Sequence, residues 1–133
     1  MVDRVMVCVS SNPVAPRVIR RGARIANGSG SQWYAVYVET PEERPSRIRW
    51  RTADALRENM RLAESLGATV VRVKAARACE GLAAFARREG VTCVVLGETA
   101  RSRWDRLWHG STLARLVNSV PDATVQVVPL TER

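Results

Sequence analysis

Apolar positions along the chain fall into two alternating rhythms. Short continuous runs at Val5 to Val9, Trp33 to Val38, Thr69 to Val73, Thr92 to Leu96 and Ala123 to Val128 have the length and composition of buried strands. Between them the apolar residues recur at helical spacing. Ala15, Val18, Ile19, Gly22, Ala23 and Ala26 define one stripe, with Arg17, Arg20, Arg21 and Arg24 mainly opposite it. Asn12-Pro13 supplies its start, an N-cap residue followed by a proline suited to the first turn, and Asn27-Gly28-Ser29-Gly30 closes it. A longer helix is expected from about Ser46 to Leu66, after the turn Thr40 to Pro45, with Ile48, Leu56, Met60, Ala63 and Leu66 inward and Gly67 as its stop. A third runs from Ala78 to Glu89, burying Leu82, Phe85 and Ala86 and ending at Gly90. The last spans Ser111 to Ser119 with Leu113, Leu116 and Val117 inward, and Pro121-Asp122 turns the chain into the fifth strand.

Strands that read as unbroken apolar runs need cover on both faces, so this order predicts a three-layer α/β/α sandwich around a five-stranded parallel sheet, Rossmann-like in layout. Right-handed crossovers leave few topologies, and strands one and four become neighbours where the strand order reverses. Ligands of such sheets bind beyond the carboxyl ends of the strands at that reversal. The loops there are Ser10-Ser11-Asn12 and the stretch from Gly97, where strand four is expected to run out, to Gly110-Ser111. Both lead into helix N-termini, so two positive dipole ends converge on one crevice, an arrangement suited to an anion.

Length and composition narrow this reading. The 133 residues fit one domain, 1–133, and the chain stops almost directly after the fifth strand, as a domain of a longer protein would. No apolar run approaches the roughly 18 to 20 residues of a membrane span, and the start lacks a signal-peptide layout, so the expected location is cytoplasmic. The three cysteines (Cys8, Cys79 and Cys93) lack metal-ligand spacing, and Cys8 and Cys93 sit inside apolar runs as reduced, buried thiols. A net charge of +8 favours anionic partners but does not choose among nucleotides, nucleic acid, acidic proteins and anionic lipid. Nucleic acid is not expected, since no recognition helix or stacking platform accompanies the charge.

Gly97-x2-Ala100-x9-Gly110-Ser111 resembles the nucleotide-binding motif of universal stress proteins, Gly-x2-Gly-x9-Gly-Ser/Thr, with Ala100 in place of the middle glycine. The resemblance implies the adenine-nucleotide α-hydrolase-like fold, with backbone amides approaching phosphates. ATP-binding members carry an acidic residue after strand one, where this chain has Val9-Ser10-Ser11-Asn12. Cys8-Val-Ser-Ser-Asn12, Arg20-Arg-Gly-Ala-Arg-Ile-Ala26, Trp33-Tyr-Ala-Val-Tyr-Val-Glu-Thr-Pro41 and Leu96-Gly with the Arg-Ser-Arg-Trp run at 101 to 104 are similar to a narrower group. That group is the stress-protein domain of KdpD, the osmosensitive potassium-channel sensor histidine kinases. Some domains of this group bind cyclic di-AMP through Ser-x-Ser, about twenty residues, then Phe-Thr-Ala-x-Tyr. Ser10-Ser11-Asn12, twenty residues, then Trp33-Tyr34-Ala35-Val36-Tyr37 follows that spacing, with hydrogen bonding by Asn12 and stacking by Trp33 as the substitutes.

What the resemblance implies is a regulatory domain of a two-component sensor kinase that controls potassium uptake. This domain is not itself an enzyme; the parent is a membrane-bound histidine kinase with the domain in the cytosol. No cofactor is required, and cyclic di-AMP or ATP is the regulatory ligand. The other expected partners are further domains of the parent kinase, stand-alone universal stress proteins and a second copy in a homodimer. The alternative is a stand-alone ATP-binding universal stress protein.

The nucleotide-binding candidates are Val9, Ser10, Ser11, Asn12, Ala35, Tyr37, Val38, Gly97, Ala100, Arg101, Arg103, Gly110, Ser111 and Thr112. Each carries a plainer reading. Asn12 can be a helix cap with the serines solvated, Val38 can be core, and Trp33 packs more readily than it stacks. Arg101, Arg103 and Arg106 either clamp phosphates or are solvated, and Trp104 and Trp108 suit a protein interface. His109 has no partner motif, and Glu39, Glu42, Glu43 and Glu98 form no acid/base pair, so no catalytic constellation is evident.

Overall fold

The computed structural model describes residues 4–9, 15–39, 50–98 and 123–129. Five parallel strands form one sheet in the order β3-β2-β1-β4-β5. They are β1 (Arg4–Cys8), β2 (Gln32–Glu39), β3 (Thr69–Lys74), β4 (Cys93–Glu98) and β5 (Thr124–Pro129). Helices α1 (Ala15–Ser29), α2 (Trp50–Ser65) and α3 (Ala78–Glu89) lie between the first four. The expected final helix, 111–119, and the start of the second, 46–49, lie outside the described residues, as do Asn12-Pro13.

Strand alternation sorts the core into two halves. Val5, Val7, Val9, Trp33, Ala35, Tyr37, Val95 and Val128 pack on one face with Val18, Ile19, Ala23 and Ala26 of α1 and Leu56, Met60 and Ala63 of α2. Met6, Val36, Val38, Val94 and Leu96 pack on the other with Leu82, Ala83, Phe85 and Ala86 of α3. Helices on both faces make the three-layer sandwich, which is why the strands read as unbroken apolar runs. The buried stripes foreseen for α1 and α3 hold throughout. Of the stripe expected for α2, Leu66 lies just past the helix and is only partly buried, and Asn59 is buried among the apolar positions of the helix.

Helix ends follow the glycines. In α3 the chain turns at Gly90 with φ 67°, where the Val91 N–H donates to Ala86 C=O at 2.9 Å and recovers a carbonyl the last turn leaves over. The same six-residue closure joins Ser31 N–H to Ala26 C=O after α1, and Ala68 N–H to Ala63 C=O after α2.

One strand boundary differs from expectation. Strand β4 does not run out at Gly97: Gly97 pairs with Val128 and Glu98 with Pro129. A glycine weakens a strand but does not end it while a neighbour still offers backbone partners, and β5 supplies them. At the other side of the reversal, β1 closes at Cys8, although the Val9 N–H still donates to Val36 C=O at 2.9 Å.

Candidate functional site

The reversal point falls between β2 and β4, over the carboxyl end of β1. Strand β1 is in register with β2 only as far as Cys8 and Val36, and with β4 only as far as Val7 and Val95. Both flanking strands continue past it, β2 to Glu39 and β4 to Glu98. The position between them, beyond the last paired residue of β1, is the candidate crevice.

Parallel pairing decides which backbone groups face that gap. In a parallel ladder the N–H and C=O of one residue point toward the same neighbour, and successive residues alternate. Val36 C=O accepts from Val9, so even-numbered β2 residues face β1; Glu39 C=O accepts from Ala75, so odd ones face β3. Val38 therefore directs its N–H and C=O over the end of β1. On the other side of β1, Val9 faces β2, so even β1 residues face β4; with Met6 in register with Val94, the backbone groups of Cys93 and Val95, and by alternation Gly97, turn toward β1. One donor–acceptor pair from each side is thus directed toward the candidate crevice.

Side chains around the gap hold these backbones in place. Val38 is buried on the α3 face, against Gly81 and Ala75. Tyr37 is buried on the α1/α2 face, and the Arg72 guanidinium of the edge strand lies 5.8 Å from its ring centroid. Cys8, partly buried at the tip of β1, has its thiol pushed up to about 12 by burial and is neutral at physiological pH. Among the described residues no three His, Cys, Asp or Glu side chains group as metal ligands. None of the described helices is long and apolar enough to cross a membrane.

Of the sequence candidates, Val9, Tyr37, Val38 and Gly97 all lie at the carboxyl end of the sheet, and Val38 and Gly97 turn their backbone groups toward the β1 side. Ala35 does not: it is fully buried in register with Val7, beneath Tyr37, and offers no surface to a ligand. Trp33 is also corrected as a stacking residue. It lies in register with Val5 at the opposite end of the sheet, five residues and about 16 Å below Val38. There it is 3% exposed, packed beside Gly22 of α1 and Gly67 after α2. Tyr34, its neighbour in the same spacing pattern, packs edge-on against Phe85 at 5.2 Å between ring centroids. Ser10, Ser11, Asn12, Ala100, Arg101, Arg103, Gly110, Ser111 and Thr112 lie outside the described residues, with Arg106, Trp104, Trp108 and His109. Sequence reasoning missed Arg72 and Gly81, whose proximity to Tyr37 and Val38 depends on strand register and helix approach.

A family model described as the universal stress protein family matches residues 1–128. The chain belongs to that family. It is 32% identical over 131 residues to the sensor protein KdpD of Escherichia coli strain K12, covering 98% of this chain and 14% of that protein. It is 33% identical over 126 residues to the sensor protein KdpD of Mycobacterium tuberculosis strain H37Rv, covering 95% of this chain and again 14% of the relative. The chain therefore corresponds to about one seventh of the length of these relatives.

Solved structures agree on the fold. A universal stress protein in complex with cAMP superimposes with a TM-score of 0.68 at 19% identity, over 97% of this chain and 98% of that one. The universal stress protein from Archaeoglobus fulgidus in complex with dAMP gives 0.60 at 16% identity, over 97% of each chain.

Proposed function

We propose that this universal stress protein domain is a non-catalytic nucleotide sensor within a KdpD-type histidine kinase, held in the cytosol and coupled to control of potassium uptake. The observation that carries the reading is that Val38 and Gly97 both turn their backbone groups toward the β1 side beyond its last paired residues, in a fold shared with proteins solved with cAMP and dAMP. Val38 reads the adenine edge with its N–H and C=O. The motif residues Gly97, Gly110, Ser111 and Thr112, with Arg101 and Arg103, meet the phosphates, and Ser10, Ser11 and Asn12 close the other side. The similarity to KdpD over nearly the whole chain supports the sensor-kinase setting.

Ligand binding alters the kinase only to the extent that the ligand prefers one of two arrangements of this domain against the rest of the protein. Titration calorimetry of cyclic di-AMP, ATP and ADP tests the binding step. Sub-millimolar affinity for at least one is expected; no binding by any of the three refutes the nucleotide reading.

The fold likeness to nucleotide-bound universal stress proteins also favours a second reading, a stand-alone ATP-binding protein. It requires ATP to copurify with the chain and Mg²⁺-dependent phosphate release. The substitutions Ala100 and Ser10 at the two key motif positions weigh against it.

A further inference from the structure

Helix α3 meets β2 at a position that has no side chain. A Cβ built on Gly81 stands 2.9 Å from Val38 Cγ1, 3.0 Å from Val38 Cγ2 and 3.2 Å from Ala75 Cβ. Both γ methyls of Val38 therefore flank the glycine. Rotation about χ1 gives no relief: the methyls of a valine fill two of the three staggered positions, so every other rotamer still leaves one of them against Gly81. Ala75 closes a further side. A side chain at position 81 is accommodated only by moving a backbone.

The two backbones that share this contact are not equally held. Leu82, Ala83, Phe85 and Ala86 are all buried and fix α3 against the sheet. Strand β2 at Val38 is past its last pairing with β1, Cys8 with Val36, so among the described residues its strand partner is β3 alone, through the register of Val38 with Val73. The strand end is the softer side. Its β1-side groups are the N–H and C=O of Val38, the pair turned toward the candidate crevice.

We infer that Gly81 is a positioning residue for the candidate crevice, acting through Val38: the missing side chain lets α3 and β2 seat together with the Val38 N–H and C=O placed to read an adenine edge. This rests on the nucleotide reading proposed above and adds to it the residue that sets base selectivity. Adenine presents an amino donor where guanine presents a carbonyl acceptor. A backbone pair held in place therefore satisfies adenine and is left unpaired by guanine. Hydrogen bonds weaken steeply with misalignment, so a displaced Val38 loses affinity for adenine and preference for it together.

Titration calorimetry on the full chain compares Gly81→Ala with the parent, using cyclic di-AMP, ATP and ADP and their counterparts cyclic di-GMP, GTP and GDP. The adenine nucleotide bound by the parent is expected to bind Gly81→Ala about fivefold more weakly, the effect of one impaired hydrogen bond. Its advantage over the guanine counterpart shrinks by a similar factor. In a Val38→Ala background the same substitution costs less affinity, because the γ carbons that meet the new methyl are gone. Gly28→Ala changes neither quantity, since nothing lies within 4 Å of a Cβ there. Denaturation melts check that each variant folds, and Val38→Ile, which enlarges the same contact from the strand side, is the second variant, with the same two effects expected. A parent chain that binds none of the three adenine nucleotides overturns the nucleotide reading and this inference with it. Where the parent binds, unchanged affinity and preference in Gly81→Ala overturn the inference alone. So does an equal loss for adenine and guanine nucleotides, or a loss of the same size in the Val38→Ala background, either of which marks a merely structural role.

Discussion

Gly81 of α3 rests directly on Val38: a Cβ added to the glycine falls 2.9 Å from Val38 Cγ1, 3.0 Å from its Cγ2 and 3.2 Å from Ala75 Cβ. The helix is thereby set against the one β2 residue whose backbone faces the crevice. Gly81→Ala gains helix propensity worth about 1 kcal/mol. It also forces an overpacked contact that costs roughly 1 to 3 kcal/mol. A net loss of about 1 kcal/mol by urea denaturation is expected. In a Val38→Ala background the same change costs less, because the γ carbons are gone and only the 3.2 Å approach to Ala75 Cβ remains. Equal cost in both backgrounds, read as a double-mutant cycle, would show that the contact is not the cause.

Gly22 is the tighter of the two close approaches. A Cβ there overlaps Val7 Cγ2 outright, and Val7 belongs to the central strand, flanked on both sides by paired neighbours. Neither partner has room to give, since Val7 is fully buried and Trp33 closes the space behind at 3.7 Å. Gly22→Ala is expected to destabilise by about 3 kcal/mol, the upper end for overpacking. The thermal midpoint checks it, with Gly28→Ala as the control, since nothing lies within 4 Å of a Cβ at Gly28.

These two glycines mark where the sequence stops being legible. Alternating apolar runs, helical stripes and terminal glycines were enough for the order of elements, the two-faced cover and the strand reversal, because each depends on local periodicity. Register and approach distance are not local. Gly22 and Gly81 each look like a weak point in a helix until their neighbours are known. Trp33 fits a ligand-stacking pattern by spacing, yet pairing with Val5 puts it at the wrong end of the sheet. The end of β4 could not be read from Gly97, since it is set by β5, whose Val128 pairs with it from 31 residues away in sequence. For the candidate crevice, the spacing of the motif names strand ends, but which backbone groups face the gap follows from hydrogen-bond parity, which no spacing shows.

Cys8 gives a prediction in pH. Burial raises its thiol from 9.0 to about 12, so the folded state binds this proton more tightly than the unfolded state. Its contribution to stability is complete below about pH 9 and falls as pH rises from there toward 12. Urea midpoints measured between pH 8 and 11 should decline more steeply in the parent chain than in Cys8→Ala. Since only the thiolate reacts, maleimide labelling of Cys8 at pH 8 in a Cys79→Ala, Cys93→Ala background should be about a thousandfold slower than for a free thiol. Labelling at the free-thiol rate under native conditions would refute the neutral, buried assignment.

At the opposite end of the sheet, Thr92 ties β1 to the strand beside it. Its Oγ1 accepts from Arg4 N–H at 3.1 Å and donates to Arg4 C=O at 3.3 Å, a two-way link across 88 residues of sequence. The Arg4 guanidinium donates to Glu89 C=O at 2.6 Å, while its approach to the Glu89 carboxylate is a long 4.0 Å between half-buried side chains. Thr92→Val keeps the shape and removes both hydroxyl bonds, so a loss of about 1 kcal/mol is expected by chemical denaturation. Glu89→Gln should cost less than about 0.5 kcal/mol, since a solvent-accessible ion pair at 4.0 Å contributes little. The reverse order of the two effects would place the stabilisation in the ion pair instead.

The final prediction concerns the position where the nucleotide motif departs from its family. Ala100 occupies the place of the middle glycine in Gly97-x2-Ala100-x9-Gly110-Ser111. A methyl group there restricts both the backbone conformations available and the approach of a phosphate to the main chain. If the crevice takes ATP or ADP, Ala100→Gly removes that restriction and should tighten their binding several-fold in calorimetry. Cyclic di-AMP has no terminal phosphate to be wrapped, so its affinity should change much less. A selective gain for ATP and ADP identifies the alanine as a device that tunes the site away from ATP. An equal gain for all three, or none, separates the alanine from ligand choice and leaves selectivity to the strand-one side, where Ser10, Ser11 and Asn12 stand in place of the acidic residue of the ATP binders.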